Sequence, residues 1–86
     1  MKAMRVEYDT EVGAFYVHVS DAEIARTADV ADLINVDVAA DGTVVGLELL
    51  CSPSAVTTEE RARLTEQFPA AAAALAEIEA LTRRSA

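Results

Sequence analysis

The 86-residue sequence predicts an α+β domain, an antiparallel β-meander of about five strands followed by two C-terminal helices packed on one face. Three observations support this fold class. Apolar and polar residues alternate in short segments up to residue 50, as in half-buried strands. After a Ser-Pro-Ser break, the apolar spacing becomes helical. The length suits a single domain, 1–86, with a sheet region at 4–50 and a helical region at 57–84.

The first three strands are predicted from alternation and from the turn residues between them. Residues 4–9 alternate weakly, and Thr-Glu-Val-Gly at 10–13 offers a turn. The next segment alternates most regularly, with Phe15, Val17 and Val19 on its apolar face. Residues 24–30 alternate less clearly, which predicts a weaker strand at an edge of the sheet.

The stretch DVAADGTVVGLE has two competing interpretations, of which the first is a calcium loop. Read as an EF-hand, it places Asp37, Asp41, Gly42 and Glu48 at motif positions. The third position is Ala39, which cannot ligate, and the LLCSPS that follows cannot form the exiting helix. The sequence therefore argues against calcium.

The second interpretation is a β-hairpin that turns at Asp41-Gly42. With a two-residue turn, facing residues have numbers that add up to 83. Three apolar pairs then share one face: Val38 with Val45, Val36 with Leu47, and Ile34 with Leu49. The opposite, wetter face pairs Asp37 with Gly46 and Asn35 with Glu48. Because this register makes one face fully apolar, the hairpin is the preferred interpretation.

Two helices are predicted after residue 56. Thr57 and Glu60 have the spacing of a capping box, which satisfies backbone donors in the first helical turn. Pro69 lacks a backbone N–H and favours the first turn of a helix, so we expect helices near 57–67 and 69–84. An apolar seam with 4-3-4-3 spacing runs along both: Leu64, Phe68, Ala71, Leu75 and Ile78.

This seam has two possible roles, and the sequence leaves both open. It packs on the sheet of its own chain, or part of it contacts another subunit or a different protein. In the second case the protein is a homodimer or a higher oligomer. The candidate interaction residues are Leu64, Phe68, Leu75 and Ile78.

The distribution of charge restricts the possible partners. The net charge is −8, and residues 1–57 hold ten acidic side chains against three basic ones. The electrostatic field of this negative charge repels nucleic-acid phosphates and attracts a basic protein. Acidity also keeps a small protein soluble, which is the plainer explanation. We therefore expect no direct nucleic-acid binding and consider a basic protein partner possible.

The location and chemistry of the protein are predicted from what the sequence lacks. The start of the chain has no apolar signal segment, and no apolar run approaches the roughly 18 residues of a membrane span, so a cytoplasmic protein is expected. His18 is the only histidine and Cys51 the only cysteine, too few for a zinc site or a disulfide. No Gly-rich phosphate loop or nucleophile with a base is evident. We expect no catalytic residue, metal or cofactor, and no enzyme activity.

Several short motifs follow one another in residues 4–50. They are an opening that ends in Tyr-Asp, an aromatic strand that ends in Ser-Asp, a strand with a threonine, and a hairpin with Asp-Gly and Gly-x-Glu. The residues of these motifs are Tyr8, Asp9, Tyr16, Ser20, Asp21, Thr27, Asp37, Asp41, Gly42, Gly46 and Glu48. In this order they resemble a small bacterial family, domain of unknown function 2283.

The resemblance implies a compact β-rich domain and carries over neither an activity nor catalytic residues. Members of the family are often regarded as possible antitoxin partners of small basic ribonuclease-like toxins. Our functional prediction is a non-enzymatic interaction or oligomerisation module, and the alternative is an antitoxin-like regulator of such a toxin. The long helical tail of this chain departs from the family pattern.

Overall fold

The computed structural model describes residues 4–85 and confirms the α+β fold with two C-terminal helices. The strands are β1 (Arg5–Asp9), β2 (Ala14–His18), β3 (Arg26–Ala31), β4 (Ile34–Val38) and β5 (Val44–Leu49). A short 3₁₀ turn at Pro53–Ala55 leads to helices α1 (Thr58–Gln67) and α2 (Pro69–Ser85).

The five strands form one antiparallel sheet in the order β1-β2-β5-β4-β3. Consecutive hairpins join β1 to β2, β3 to β4 and β4 to β5. The connection from β2 to β3 crosses the sheet, so β5 returns to lie between β2 and β4. Strands β1 and β3 are the edges, which confirms the predicted edge position of β3.

The β4–β5 hairpin follows the predicted register over four pairs and departs from it near the turn. Asp37 faces Gly46 as predicted, but Val38 faces Val44 rather than Val45. The loop contains three residues instead of two, because the Ala39 N–H bonds to the Thr43 carbonyl at 2.8 Å. Val45 is an extra, unpaired residue in β5, a β-bulge. Because of this bulge the predicted register holds again from Gly46 onwards.

Gly42 closes this loop in a conformation that side chains disfavour. Its φ is +91°, and its N–H donates to the carbonyl of Ala39 at 3.0 Å. The carboxylate of Asp41 accepts from the N–H of Thr43 at 2.9 Å. Its hydrogen bond with the Thr43 side chain, and secondly this backbone bond, hold the pKa of Asp41 below its usual range. The Asp-Gly pair therefore stabilises a turn, with glycine needed at only one of the two positions.

Helix α1 begins with the predicted capping box. The Glu60 N–H donates to Thr57 Oγ1 at 3.1 Å, and the Thr57 N–H donates to Glu60 Oε1 at 2.9 Å. Pro69 is the first residue of α2 rather than a kink in one long helix. The two helices are tied together by a bidentate ion pair between Arg61 and Glu79.

Both helices pack on one face of the sheet, α2 on β2 and β5 and α1 on β3. Alanines at 71 and 74 are fully buried, so α2 approaches the strands closely. The largest fully buried side chains come from both layers: Val17, Ile34, Val36, Val38, Leu47, Leu49, Leu64, Leu75 and Ile78. The core is therefore the interface between the apolar sheet face and the helical seam.

The helical seam serves this chain's own core. Leu64, Leu75 and Ile78 are 0% exposed, and Phe68 is partly buried against the same cluster. Three of the four candidate interaction residues are thus buried within this chain, and Phe68 is partly buried. Packing on its own sheet, the other role that the sequence left open, is what the structure shows.

Candidate interaction surface on the open sheet face

The sheet face opposite the helices carries mostly polar side chains, and we refer to it as the open face. The register aligns its residues in rows that cross the strands. One row holds Glu7, Tyr16, Glu48, Asn35 and Asp29, and the next holds Arg5, His18, Gly46, Asp37 and Thr27. This alignment brings together residues that lie more than 40 positions apart in the sequence.

A hydrogen-bonded cluster occupies the centre of the open face. Tyr16 on β2 extends across β5 and donates from its hydroxyl to Asp37 Oδ2 on β4 at 2.7 Å. From the other side, Thr27 on β3 donates to Asp37 Oδ1 at 2.6 Å. Asp37 therefore accepts at both oxygens, and its side chain is held in one orientation by strands on either side of β4.

Gly46 on β5 provides the space for this arrangement. A Cβ atom at this position would lie 2.0 Å from Tyr16 Oη and 2.3 Å from Cζ of the same ring, which no real contact allows. The glycine thus lets the aromatic ring lie directly on the backbone of the central strand. An aromatic side chain over a strand glycine also replaces packing that the glycine lacks.

The environment of Tyr16 keeps its phenol protonated. Burial and the negative charge of Asp37, which accepts its hydrogen bond, raise the pKa of Tyr16 well above its usual range, with a smaller contribution from Glu48. The phenol therefore acts as a hydrogen-bond donor at physiological pH and is poorly suited to act as a base.

Two further polar pairs flank the cluster. Asn35 Nδ2 donates to Glu48 Oε1 at 3.0 Å, between β4 and β5. His18 Nε2 contacts Glu7 Oε1 across β1 and β2, and this contact lowers the pKa of Glu7. The His18 ring also meets the Tyr16 ring edge-on, with centroids 4.8 Å apart. The side chains of the open face are thus largely ordered by one another.

The open face is strongly acidic. Five carboxylates lie on it, and the register places one guanidinium, Arg5, among them. The carboxylates are Glu7, Asp9, Asp29, Asp37 and Glu48. Much of the negative charge of the sheet region is therefore concentrated on one surface.

One end of the open face is apolar. Leu50 is 38% exposed and Leu33 46% exposed, and they lie side by side because the Leu50 N–H donates to the Leu33 carbonyl at 2.8 Å. Leu50 also lines a shallow hollow with Ala14, Tyr16 and Glu48. This end therefore combines exposed apolar surface with carboxylates at its rim.

The other residues that the sequence singled out lie apart from one another. His18 is on the open face, whereas Cys51 follows β5 and is partly buried against the core. Burial raises the pKa of the Cys51 thiol, as does the charge of Glu60. Tyr16, Asp37 and Gly46 lie on predicted strands, but the cluster that they form was not predicted. The sequence showed an aromatic residue on one strand and a glycine on another, and it did not show that these two strands are neighbours.

Within residues 4–83, no group of three or more His, Cys, Asp and Glu side chains has an arrangement that could hold a metal ion. None of the described helices has the length and apolar character needed to cross a membrane. The arrangement on the open face is suited to forming hydrogen bonds and ion pairs with a partner.

The fold and this surface define a small α+β domain whose sheet has one covered face and one acidic open face. Residues 5–51 match the family described as protein of unknown function (DUF2283), and the chain belongs to this family. The match covers all five strands and ends before the two helices. The resemblance noted in the sequence is thereby confirmed. Neither the curated proteins nor the solved structures give a match to the chain.

Proposed function

We propose that this bacterial protein is a non-enzymatic, cytoplasmic interaction module that binds a basic protein partner through its open face. The observation that carries the proposal is the concentration of five carboxylates on a face that the helices leave uncovered. Opposite charge on a partner would accelerate encounter and select against other acidic proteins.

The order of the acidic side chains supports a docking role. Asp37 is held by Tyr16 and Thr27, and Glu48 is held by Asn35, all of them on strands. A surface whose side chains are already fixed loses less conformational entropy on binding than a surface of mobile chains. The open face is therefore better prepared for binding than the exposed carboxylates of the helices.

The apolar end supplies the second component of an interface. Protein interfaces combine an apolar centre with a polar rim. Leu33 and Leu50 offer exposed apolar surface next to Glu48, where the alkyl part of a lysine or arginine side chain could pack while its charge meets a carboxylate. A partner with basic residues around an apolar patch fits this surface best.

The test is affinity capture from the native host with wild type and two charge-matched variants. The double variant D29N/E48Q neutralises two carboxylates of the open face. The control E66Q/E77Q neutralises two exposed carboxylates of the helices, so both variants change the net charge equally. The proposal expects a basic protein that binds wild type and the control but is lost with D29N/E48Q. Equal capture by all three proteins would overturn it.

A second, narrower candidate is an antitoxin-like regulator of a small basic ribonuclease-type toxin. It is favoured by the acidity of the open face, since a ribonuclease must present a cationic surface to RNA phosphates and this face could occupy it. The captured partner would then cleave RNA, and the wild-type chain would inhibit the cleavage more strongly than D29N/E48Q. A partner without ribonuclease activity would exclude this candidate and leave the broader proposal intact.

A further inference from the structure

The two edges of the sheet differ in how well they are protected. Strand β3 has a register irregularity between Asp29 and Ala31, and Arg63 Nη1 donates to the carbonyl of Val30 between them at 2.9 Å. A bulge and an occupied carbonyl both obstruct the addition of another strand. Strand β1 is regularly paired with β2 along its whole length, and the helices pack mainly on other strands. Its outer edge is therefore the one suited to pairing.

We propose that two copies of this chain associate through β1, as antiparallel strands with Val6 at the two-fold axis. The result is a dimer with a continuous ten-stranded sheet. The inference does not rest on the proposed function. Its charge pairs, Arg5 and Glu7, lie where the open face meets the outer edge of β1, whereas the test of the proposed function substitutes Asp29 and Glu48 on other strands.

The alternation of faces restricts the possible registers. Two copies related by a two-fold axis perpendicular to the sheet place residues of the same face opposite each other. The facing residue numbers must therefore add up to an even number, and one residue lies on the axis. The candidates for the residue on the axis, within β1, are Arg5, Val6, Glu7 and Tyr8.

The charge pattern of β1 selects among these registers. With Arg5 on the axis two guanidinium groups face each other. With Glu7 on the axis Arg5 faces Asp9 of the second copy, but two Glu7 carboxylates face each other. With Tyr8 on the axis, Glu7 faces Asp9 of the second copy. Val6 on the axis instead places Arg5 opposite Glu7 of the second copy, twice. Opposite charges across strands stabilise pairing and like charges oppose it, so this register is preferred.

The helix-side face of β1 agrees with the same register. Val6 then faces Val6 of the second copy, and Tyr8 faces Met4 of the second copy. Met4 and Val6 pack against the core, and the Tyr8 ring lies 4.6 Å from the Phe15 ring, yet Tyr8 remains 53% exposed. Pairing would cover this aromatic ring and extend the apolar layer from one copy to the other.

The difference between the edges also limits the size of the assembly. If both edges could pair, copies would add without end into a filament. Because β3 is obstructed and β1 pairs with itself, the assembly closes at two copies. The two open faces would lie side by side on one surface of the dimer.

The test is sedimentation equilibrium of the full chain over a range of concentrations, with charge-reversal variants of β1. R5E places glutamate opposite Glu7 of the second copy and should weaken the dimer by roughly tenfold or more. E7R should weaken it similarly by creating two arginine pairs. The double variant R5E/E7R restores two opposite-charge pairs and should recover dimerisation. R26E, an equal charge change at exposed Arg26, is the control and should have no effect.

Three outcomes would overturn the proposal. The first is a wild-type chain that stays monomeric at the highest concentration reached. The second is a dimer that R5E and R26E affect equally. The third is rescue of R5E by D9R instead of E7R, which would place Glu7 on the axis. Circular dichroism of each variant shows whether the monomer fold is retained, and the rescue by R5E/E7R distinguishes lost pairing from lost folding.

Discussion

Tyr16 donates its hydroxyl to Asp37 across 2.7 Å even though strand β5 lies between the strands that carry the two residues. The contact exists because Gly46, the residue of β5 under the ring, has no side chain. The aromatic residue, the glycine and the carboxylate therefore form one structural unit. Together with the bond from Thr27 to Asp37, it connects the four strands β2, β5, β4 and β3 on the open face.

The first prediction concerns the glycine of this unit. G46A would place a methyl carbon within 2.0 Å of Tyr16 Oη, so the ring must move and its hydrogen bond to Asp37 must break. We expect the free energy of unfolding to fall by about 1–3 kcal/mol from overpacking and the lost bond. Urea denaturation of wild type and variant measures the change.

A double-mutant cycle separates the steric effect from a general intolerance of β5 to alanine. In a Y16V background the ring is absent, so G46A should cost much less than it does with Tyr16 present. Equal costs in both backgrounds would show that the ring and the glycine are not coupled.

The sequence predicted those features of the fold that depend on local patterns. The hairpin register followed from apolar alternation around Asp41-Gly42, and the start of α1 followed from Thr57 and Glu60, because these signals act between near neighbours. The bulge at Val45 was missed, since a three-residue loop and a two-residue loop differ by one position that alternation alone does not resolve.

The open-face cluster could not be derived in the same way. Its formation depends on the position of β5 between β2 and β4, which is set by the crossing connection after β2. Without that order, nothing in the sequence places Tyr16 next to Gly46 rather than next to a residue of β3. The charge of the sheet region was evident from composition, whereas its concentration on one face required the register.

The second prediction is that the free energy of unfolding depends differently on pH in Y16F and in wild type. At neutral pH it should lower the free energy of unfolding by about 0.5–1.5 kcal/mol through the lost bond to Asp37. The pKa of Tyr16 is raised in the folded chain, so above about pH 10 the unfolded chain loses this proton first and wild type loses stability. Y16F has no phenol at this position and lacks this loss. The difference in free energy of unfolding between the two proteins should therefore narrow as pH rises. Parallel curves from pH 7 to 11 would contradict the prediction.

The third prediction tests the role of the helical seam. Leu75 is 0% exposed and packs in the core, so L75A should lower the free energy of unfolding by about 2–5 kcal/mol. Leu81 lies on the same helix and is 38% exposed, so L81A, which removes the same atoms, should cost less than about 1 kcal/mol. Urea denaturation of wild type and both variants, at a concentration where the chain is monomeric, measures the two changes in free energy of unfolding. If L75A changed the molar mass and left monomer stability unchanged, the seam would be an interface between chains.

The fourth prediction is that Glu7 titrates below its ordinary pKa of 4.5 because of its neighbour across the β1–β2 pair. The hydrogen bond from His18 is the largest cause, followed by the charge of His18, and Arg5 contributes less. Since the folded pKa is depressed, the stabilisation is present above the ordinary value and is lost as pH falls through the folded value. An NMR titration of the Glu7 carboxyl carbon gives the midpoint directly. H18Q should move the midpoint back towards 4.5 by more than R5Q does, and the reverse order would mean that strand charge, rather than the contact with His18, controls Glu7.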